Sequence, residues 1–191
     1  MIIYWYGDRG SGKTLSSVMI ANLFKEYYKK NNEKPLLFAN VKMENRDYDM
    51  LKFYNKEFQN HNQPKIFLFD EIDKFADNRT ASSMINRIIG YTISLSRKTN
   101  TDFLITSQYY KAVDFRIRGF CDFIIAPEIK NKKFLYWEIF NNKNATTSKR
   151  KINVDLKTIF PLYDTNYLTI DLISEYLIQF KLISKAFKKS N

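Results

Sequence analysis

A chain of 191 residues with 45% hydrophobic and 16% aromatic residues, but only 5 glycines and 4 prolines, has the make-up of a packed globule and excludes general disorder or a fibrous repeat. One cysteine, Cys121, and one histidine, His61, exclude an internal disulfide and leave too few soft ligands for a structural zinc site. The 31 basic against 20 acidic side chains give +11, with 19 and 15 in residues 1–128 (net +4) but 12 and 5 in residues 129–191 (net +7), so the last third is the part that attracts a polyanion.

The first element is the apolar run Ile2–Tyr6, a buried strand that stops at Gly7-Asp8-Arg9-Gly10-Ser11-Gly12-Lys13-Thr14. Val18, Leu23, Phe24 and Tyr27 then recur at helical spacing until Lys29-Lys30-Asn31-Asn32 ends the helix. Leu36–Val41 is a second strand, and residues 47–59, with Tyr48, Leu51, Tyr54 and Phe58, read as a short amphipathic helix; His61 is a loop residue. Lys65–Asp70 is a continuous apolar run ending in acid, the pattern of a buried parallel strand. Residues 81–97 read as a helix, Thr101–Gln108 as a fourth strand and Phe120–Ala126 as a fifth, with Cys121 a core-facing strand residue. Phe134–Phe140 is one more strand, Asn141–Lys151 a turn or loop, and Ile170–Phe187 an amphipathic helix docked on the core. This alternation predicts an α/β fold, a mostly parallel doubly wound sheet with a C-terminal strand and a docked helix. A single domain is expected over 1–191, with a core over 1–127 and a basic extension over 128–191. The apolar runs are far shorter than the roughly 20 residues of a membrane helix, and no basic-then-apolar leader precedes the first motif, so neither export nor membrane insertion is expected.

Gly7-x-x-x-x-Gly12-Lys13-Thr14, after a strand and before a helix, is a complete phosphate-binding loop. Its glycines let successive N–H groups converge on a phosphate at a helix N-terminus; Lys13 neutralises β- and γ-oxygens, and the Thr14 hydroxyl ligates Mg²⁺. Gly7, Asp8, Arg9, Gly10, Ser11, Gly12, Lys13, Thr14 and Leu15 are therefore the candidate ATP-binding residues. Phe67-Leu68-Phe69-Asp70-Glu71 supplies the partner acids: Asp70 for the Mg²⁺ shell, and Glu71 to polarise the water that attacks the γ-phosphate. Asp73 has a much weaker claim to such a role and reads as a surface residue. Gln108, at the end of the fourth strand, is placed to reach the γ-phosphate or its water. Arginines number 8, and Arg97, Arg116 and Arg118 flank the fourth and fifth strands, where a guanidinium could complete a neighbouring subunit's site.

These residues resemble the additional-strand, catalytic-glutamate P-loop ATPases of the FtsK/HerA type. Within that group the chain is most similar to zonula-occludens-toxin-like phage assembly ATPases and viral genome-packaging ATPases. The likeness runs over about residues 1–127 and is carried by Gly7–Thr14, Phe38-Ala39-Asn40-Val41, Phe69-Asp70-Glu71, Ser96-Arg97, Asp102–Gln108 and Val113–Arg118, with Leu162-Tyr163-Asp164-Thr165 beyond them. It implies a RecA-like fold, a Mg²⁺-dependent ATPase, a homo-oligomeric ring with Arg97 or Arg118 acting between subunits, double-stranded DNA as the cargo, and virion or capsid proteins as further partners. It also implies work in the cytoplasm, the host's if the chain is viral, or in association with the virion. The phage members carry a membrane-spanning segment after the ATPase domain, and this sequence has none, which favours a soluble packaging motor. The rival readings are an AAA-type helicase loader, a nucleotide-dependent switch and a small nucleotide kinase. Glu71 and Gln108 suit hydrolysis better than phosphate transfer, and the aromatic strand at Phe134–Phe140 does not suit the all-helical lid of a loader. A Lys-rich surface that serves only solubility is the plain alternative for the charge excess.

Overall fold

The computed structural model describes residues 1–43, 46–49, 62–74, 84–131, 133–154 and 163–164. Its strands are β1 (Ile2–Tyr6), β2 (Leu36–Ala39), β3 (Tyr48–Asp49), β4 (Lys65–Phe69), β5 (Thr101–Ser107), β6 (Phe123–Lys130), β7 (Phe134–Asn141) and β8 (Thr146–Asn153). They form one sheet in the order β3-β2-β4-β5-β1-β6-β7-β8. From β3 to β6 every pairing is parallel, whereas β6-β7 and β7-β8 are antiparallel.

Side chains alternate across β1 and bury both of its faces. Ile3 and Trp5 pack with Leu15, Val18 and Ala21 of α1 (Lys13–Lys30). Ile2 and Tyr4 pack in the opposite layer with Ile89 and Ile93 of α2 (Met84–Ser94) and Ile117 of α3 (Phe115–Phe120). The stripe of α1 that meets the sheet differs from the expected one: Leu23 and Tyr27 are 59% and 64% exposed. At about 100° per residue they lie roughly 140° and 180° around the helix from Val18, so they face outward.

Register decides what meets at the top of the sheet. β5 stands between β1 and β4, pairing Tyr6 with Ser107 on one side and Phe69 with Ile105 on the other. The residues that follow these three strands, Gly7, Gln108 and Asp70, therefore emerge side by side. This inserted strand is the additional strand that the motifs imply.

Three elements depart from the sequence reading. Residues 146–153 form β8, paired along its whole length with β7, where a loop was expected; the turn is confined to residues 142–145. Its side chains are exposed on both faces except Ile152, so no apolar alternation marks it as a strand. Tyr48–Asp49 pairs with β2 as a short edge strand instead of opening a helix. Phe120 ends α3, and β6 begins at Phe123; Cys121 is buried but caps that helix, its thiol donating to the Ile117 carbonyl. His61, residues 50–59 and the expected helix at 170–187 lie outside the described residues. Tyr163 bridges Met43 and Asp164 N–H donates to Lys42 O, so that stretch lies beside the end of β2.

Candidate active site

The phosphate loop follows from three glycines with positive φ: Gly7 at 144°, Gly10 at 77° and Gly12 at 98°. A Cβ on Gly12 would stand 3.0 Å from Ile129 Cγ1 of β6 and from Leu135 Cδ1 of β7, so this position needs glycine for its backbone and for its close approach. Lys13 is buried at the start of α1, and its ammonium donates to Gly7 O and Asp8 O at 2.8 Å each, which holds the cation over the curl of the loop. Burial lowers its pKa, against the charges of Asp70 and Glu71. Ser16 Oγ donates to Gly12 O at 2.7 Å and accepts from Trp137 Nε1 at 2.9 Å, tying β7 to the loop. Asp8 and Arg9 are exposed on the loop, while the Leu15 side chain is core and leaves only its backbone to face a ligand.

At the tip of β4, Asp70 is reached by two hydroxyls. Thr106 Oγ1 donates to its Oδ1 at 2.6 Å, and Thr14 Oγ1 lies 3.0 Å from the same oxygen. Burial raises the Asp70 pKa, and these two hydrogen bonds oppose the shift. Asn40 clamps the backbone beneath it: its Oδ1 accepts from Asp70 N and its Nδ2 donates to Asp70 O, both at 2.8 Å. The adjacent hydroxyl and carboxylate are hard oxygen donors, the kind Mg²⁺ takes alongside phosphate and water. Among the described residues no cluster of three or more His, Cys, Asp or Glu offers a rival metal site.

Glu71 sits at φ 53°, in the left-handed region, with its N–H donating to Thr106 Oγ1 at 2.9 Å. This sharp turn carries its carboxylate to Gln108, whose Nε2 donates to Glu71 Oε1 at 3.4 Å. Burial pushes Glu71 up, but the hydrogen bond and charge of Lys74 more than reverse the effect, so the carboxyl titrates below its usual range. Gln108 also accepts the Gly7 N–H on its carbonyl at 3.2 Å. A buried lysine, a hydroxyl–carboxylate pair and a charged glutamate thus converge on one loop that can cradle phosphates. Residues 3–128 match the family described as the ATPase family associated with various cellular activities (AAA).

The chain belongs to the AAA family of ATPases. No curated protein matches it in sequence. Among solved structures it is similar in fold to the N-terminal domain of zonular occludens toxin from Neisseria meningitidis, at 20% identity and a TM-score of 0.64 over 85% of this chain and 98% of that one. It is also similar to the genome packaging NTPase B204 of Sulfolobus turreted icosahedral virus 2 in complex with ATP-gammaS, at 14% identity and a TM-score of 0.56 over 80% and 98%. The cytoplasmic domain of the type VII secretion ATPase EccC from Thermomonospora curvata gives 10% and 0.54 over 81% of this chain and 24% of that one.

In this AAA ATPase the structure brings Gly7–Thr14, Arg9 included, together with Asp70, Glu71 and Gln108, whereas Arg116 and Arg118 are engaged by other residues and Arg97 lies at the far end of β5. Arg97 is exposed and lines a cleft with Met1, Ile2 and Asp122 at the opposite end of the sheet, where β1, β5 and β6 begin. The seven residues of β5 separate it from Gln108 by about 20 Å. Arg118 stacks on Tyr110, 4.6 Å from the ring centre, and donates to Val113 O. Arg116 is bound to the buried carboxylate of Asp114. Four polar residues of the AAA site had no assigned role in the sequence reading: Asn40, Thr106, Asp73 and Lys74. Asp73 and Lys74 were within reach of sequence reasoning, because an acid two and a base three residues after Glu71 return to the same tip once the chain turns. Asp73 is half-buried there and not on the open surface. Thr106 gives no such signal, since a threonine inside an apolar strand is ordinary.

Proposed function

We propose that this ATPase is a motor that translocates double-stranded DNA, in viral genome packaging or virion assembly. The observation that carries the reading is that the phosphate loop packs against strands that adjoin a basic sheet edge. β6 and β7 press Ile129 and Leu135 on Gly12 of the phosphate loop, and β8, the next strand, carries Lys149, Arg150 and Lys151 exposed along the sheet edge. A change at the phosphates is then one strand away from a basic edge suited to a DNA backbone. The fold shared with a packaging NTPase supports the same reading.

In hydrolysis, the loop N–H groups and Lys13 bind the β- and γ-phosphates of ATP. Thr14 and Asp70 would hold Mg²⁺, which would supply charge neutralisation for the phosphates. Glu71 takes the proton of the attacking water, and the Gln108 amide orients that water. The motor works as a homo-oligomeric ring in which Arg97 or Arg118 reaches the ATP of the neighbouring subunit. Residues 128–191 act as the basic extension of a core over 1–127, and capsid or other virion proteins are its docking partners. It acts in the cytoplasm, the host's if the chain is viral; among the described residues no helix is long and apolar enough to cross a membrane.

The test is ATP turnover with and without duplex DNA, combined with a salt titration of binding. Log affinity should fall with log salt by about 0.9 per phosphate neutralised, and changing Lys149, Arg150 and Lys151 together to Ala should reduce that slope by roughly two to three units. Basal turnover should stay within about twofold, because none of the three touches the ATP site. Absence of duplex binding at low salt with ATP present overturns the motor reading.

A further inference from the structure

Along β7 every second side chain points to the same face, which places Phe134, Tyr136, Glu138 and Phe140 in one row. The other face is committed to the core, where Leu135 and Trp137 are buried. The three rings of the row are only half-buried, and Glu138 is exposed. Residues paired directly opposite share a face, so Lys151 and Lys149 of β8 stand beside Tyr136 and Glu138, and Lys130 of β6 stands beside Phe134. Lys151 Nζ lies 4.0 Å from the centre of the Phe134 ring and 5.8 Å from that of Tyr136, while Lys130 Nζ lies 5.3 Å from the Tyr136 ring. At its other end the row runs into a cleft of about 310 Å³ beside Phe140, Tyr6 and Tyr110, the last two with ring centres 5.2 Å apart. Alternation along β1 sends Tyr6 to the layer of α2 and α3, so this cleft opens on the opposite face of the sheet from α1.

Rings two residues apart on a strand stand roughly 7 Å from each other, and a basic surface with rings at such intervals is a platform for unpaired bases. A base stacks on an aromatic face whatever its identity, and the phosphate linking two stacked nucleotides has to pass between the rings, where Lys151 Nζ already stands. A cation over an exposed ring is weakly held, so the lysine is free to exchange the ring for a phosphate. Two acids share the face: Glu128 pairs with Lys130 at 3.1 Å and Glu138 with Lys149 at 3.5 Å. Lys151 has no carboxylate partner among the described residues, so the uncompensated charge sits between the two rings. A duplex keeps its base faces covered by stacking, and only an unpaired strand can use these rings.

We infer that this face of β6, β7 and β8 binds single-stranded DNA, with bases stacked on Phe134 and Tyr136, the phosphate between them on Lys151, and a further base in the cleft of Tyr6, Tyr110 and Phe140. The choice of the deoxy polymer rests on the DNA cargo proposed above, whereas the stacking and the charge rest on this face alone. It gives an opened or frayed strand a place of its own beside the basic edge.

The experiment measures the fluorescence anisotropy of a short labelled oligo-dT on titration with the full chain, with circular dichroism and basal ATP turnover to confirm the fold of each variant. Losing one stacking ring weakens single-strand binding roughly five- to a hundredfold, so Tyr136→Leu should do so, while Tyr136→Phe stays within about twofold of wild type. Lys151→Ala should lower the salt slope by about 0.7, the share of one phosphate of a single strand. Arg150→Ala, opposite Trp137 and so on the other face, should leave that slope nearly unchanged. A saturating ATP analogue should leave strand binding within about twofold. Should Tyr136→Leu fail to fold, Phe134→Leu takes its place, with Phe134→Tyr as the rescue. No binding of oligo-dT at low salt, wild-type affinity in the ring variant, oligo-rU bound more tightly than oligo-dT, or displacement of the strand by the ATP analogue overturns the inference. Absence of duplex binding with the single strand still bound overturns the motor reading alone, which separates the two failures.

Discussion

The parallel part of the sheet, β3 to β6, and the antiparallel hairpin of β7 and β8 follow different rules in one continuous layer. β1, β4 and β5 are covered on both faces and their residues are buried throughout, apart from Tyr6 at the tip of β1. β8 is exposed on both faces and basic. The first region gains from burial and can hold charged groups such as Asp70 only where other polar groups meet them. In the second, β7 buries Leu135 and Trp137 on the core, while β8 keeps its basic side chains exposed. The candidate site and the exposed basic edge are thus divided between two kinds of strand, with β6 as the shared wall.

The largest expected effect tests the buried side of this division. Lys13→Ala removes the cation held over the loop, and ATP turnover should fall by about 10³ at saturating ATP. The hairpin variants should not approach that loss, and a turnover near wild type in Lys13→Ala would break the comparison. Glu71→Gln should lower turnover by about 10² with ATP-analogue binding retained, because the amide cannot accept a proton from water. Single-turnover kinetics with a binding titration would separate the two steps.

A smaller effect probes the joint between the regions. Trp137→Phe removes the hydrogen bond to Ser16 Oγ, a buried pair that links β7 to the loop, and should cost about 1 kcal/mol of stability in urea unfolding. A rise in KM for ATP of a few-fold should accompany it; an unchanged KM would mean that the hairpin and the loop are not coupled through this contact. The smallest effect concerns Cys121, whose thiol burial pushes up to about 12. The folded protein should react slowly with a thiol reagent at pH 8, and reaction should become fast on unfolding. The sign for stability follows: the folded state holds this proton more tightly, so the contribution is complete below the thiol's unfolded pKa and declines as pH rises from there toward 12.

The sequence showed the first region well and the second poorly for the same physical reason. Strands buried on both faces, such as Lys65–Phe69, appear as unbroken apolar runs, and Gly7–Thr14 has few other uses after such a run. The matched family range, 3–128, covers that legible part. Thr146–Asn153 gave no strand pattern, because an edge strand with one partner needs only backbone hydrogen bonds along one side. At the site, Lys13, Asp70, Glu71 and Gln108 were legible from motif and strand position. Thr106 and the reciprocal Asn40 clamp were not, since each depends on a register between strands distant in sequence. Asp73 was assigned to the surface, although its place two residues after Glu71 returns it to the tip once the chain turns.

The left-handed backbone of Glu71 has a further consequence. A side chain with a Cβ spends about 1 kcal/mol or more to hold that conformation, and glycine or asparagine would hold it more easily. On the role proposed for Glu71, the residue that serves hydrolysis at this tip is therefore not the one that best serves folding. Selection for thermal stability alone would drift away from glutamate here, so that a hyperstable descendant of this chain would be expected to bind ATP and leave it intact.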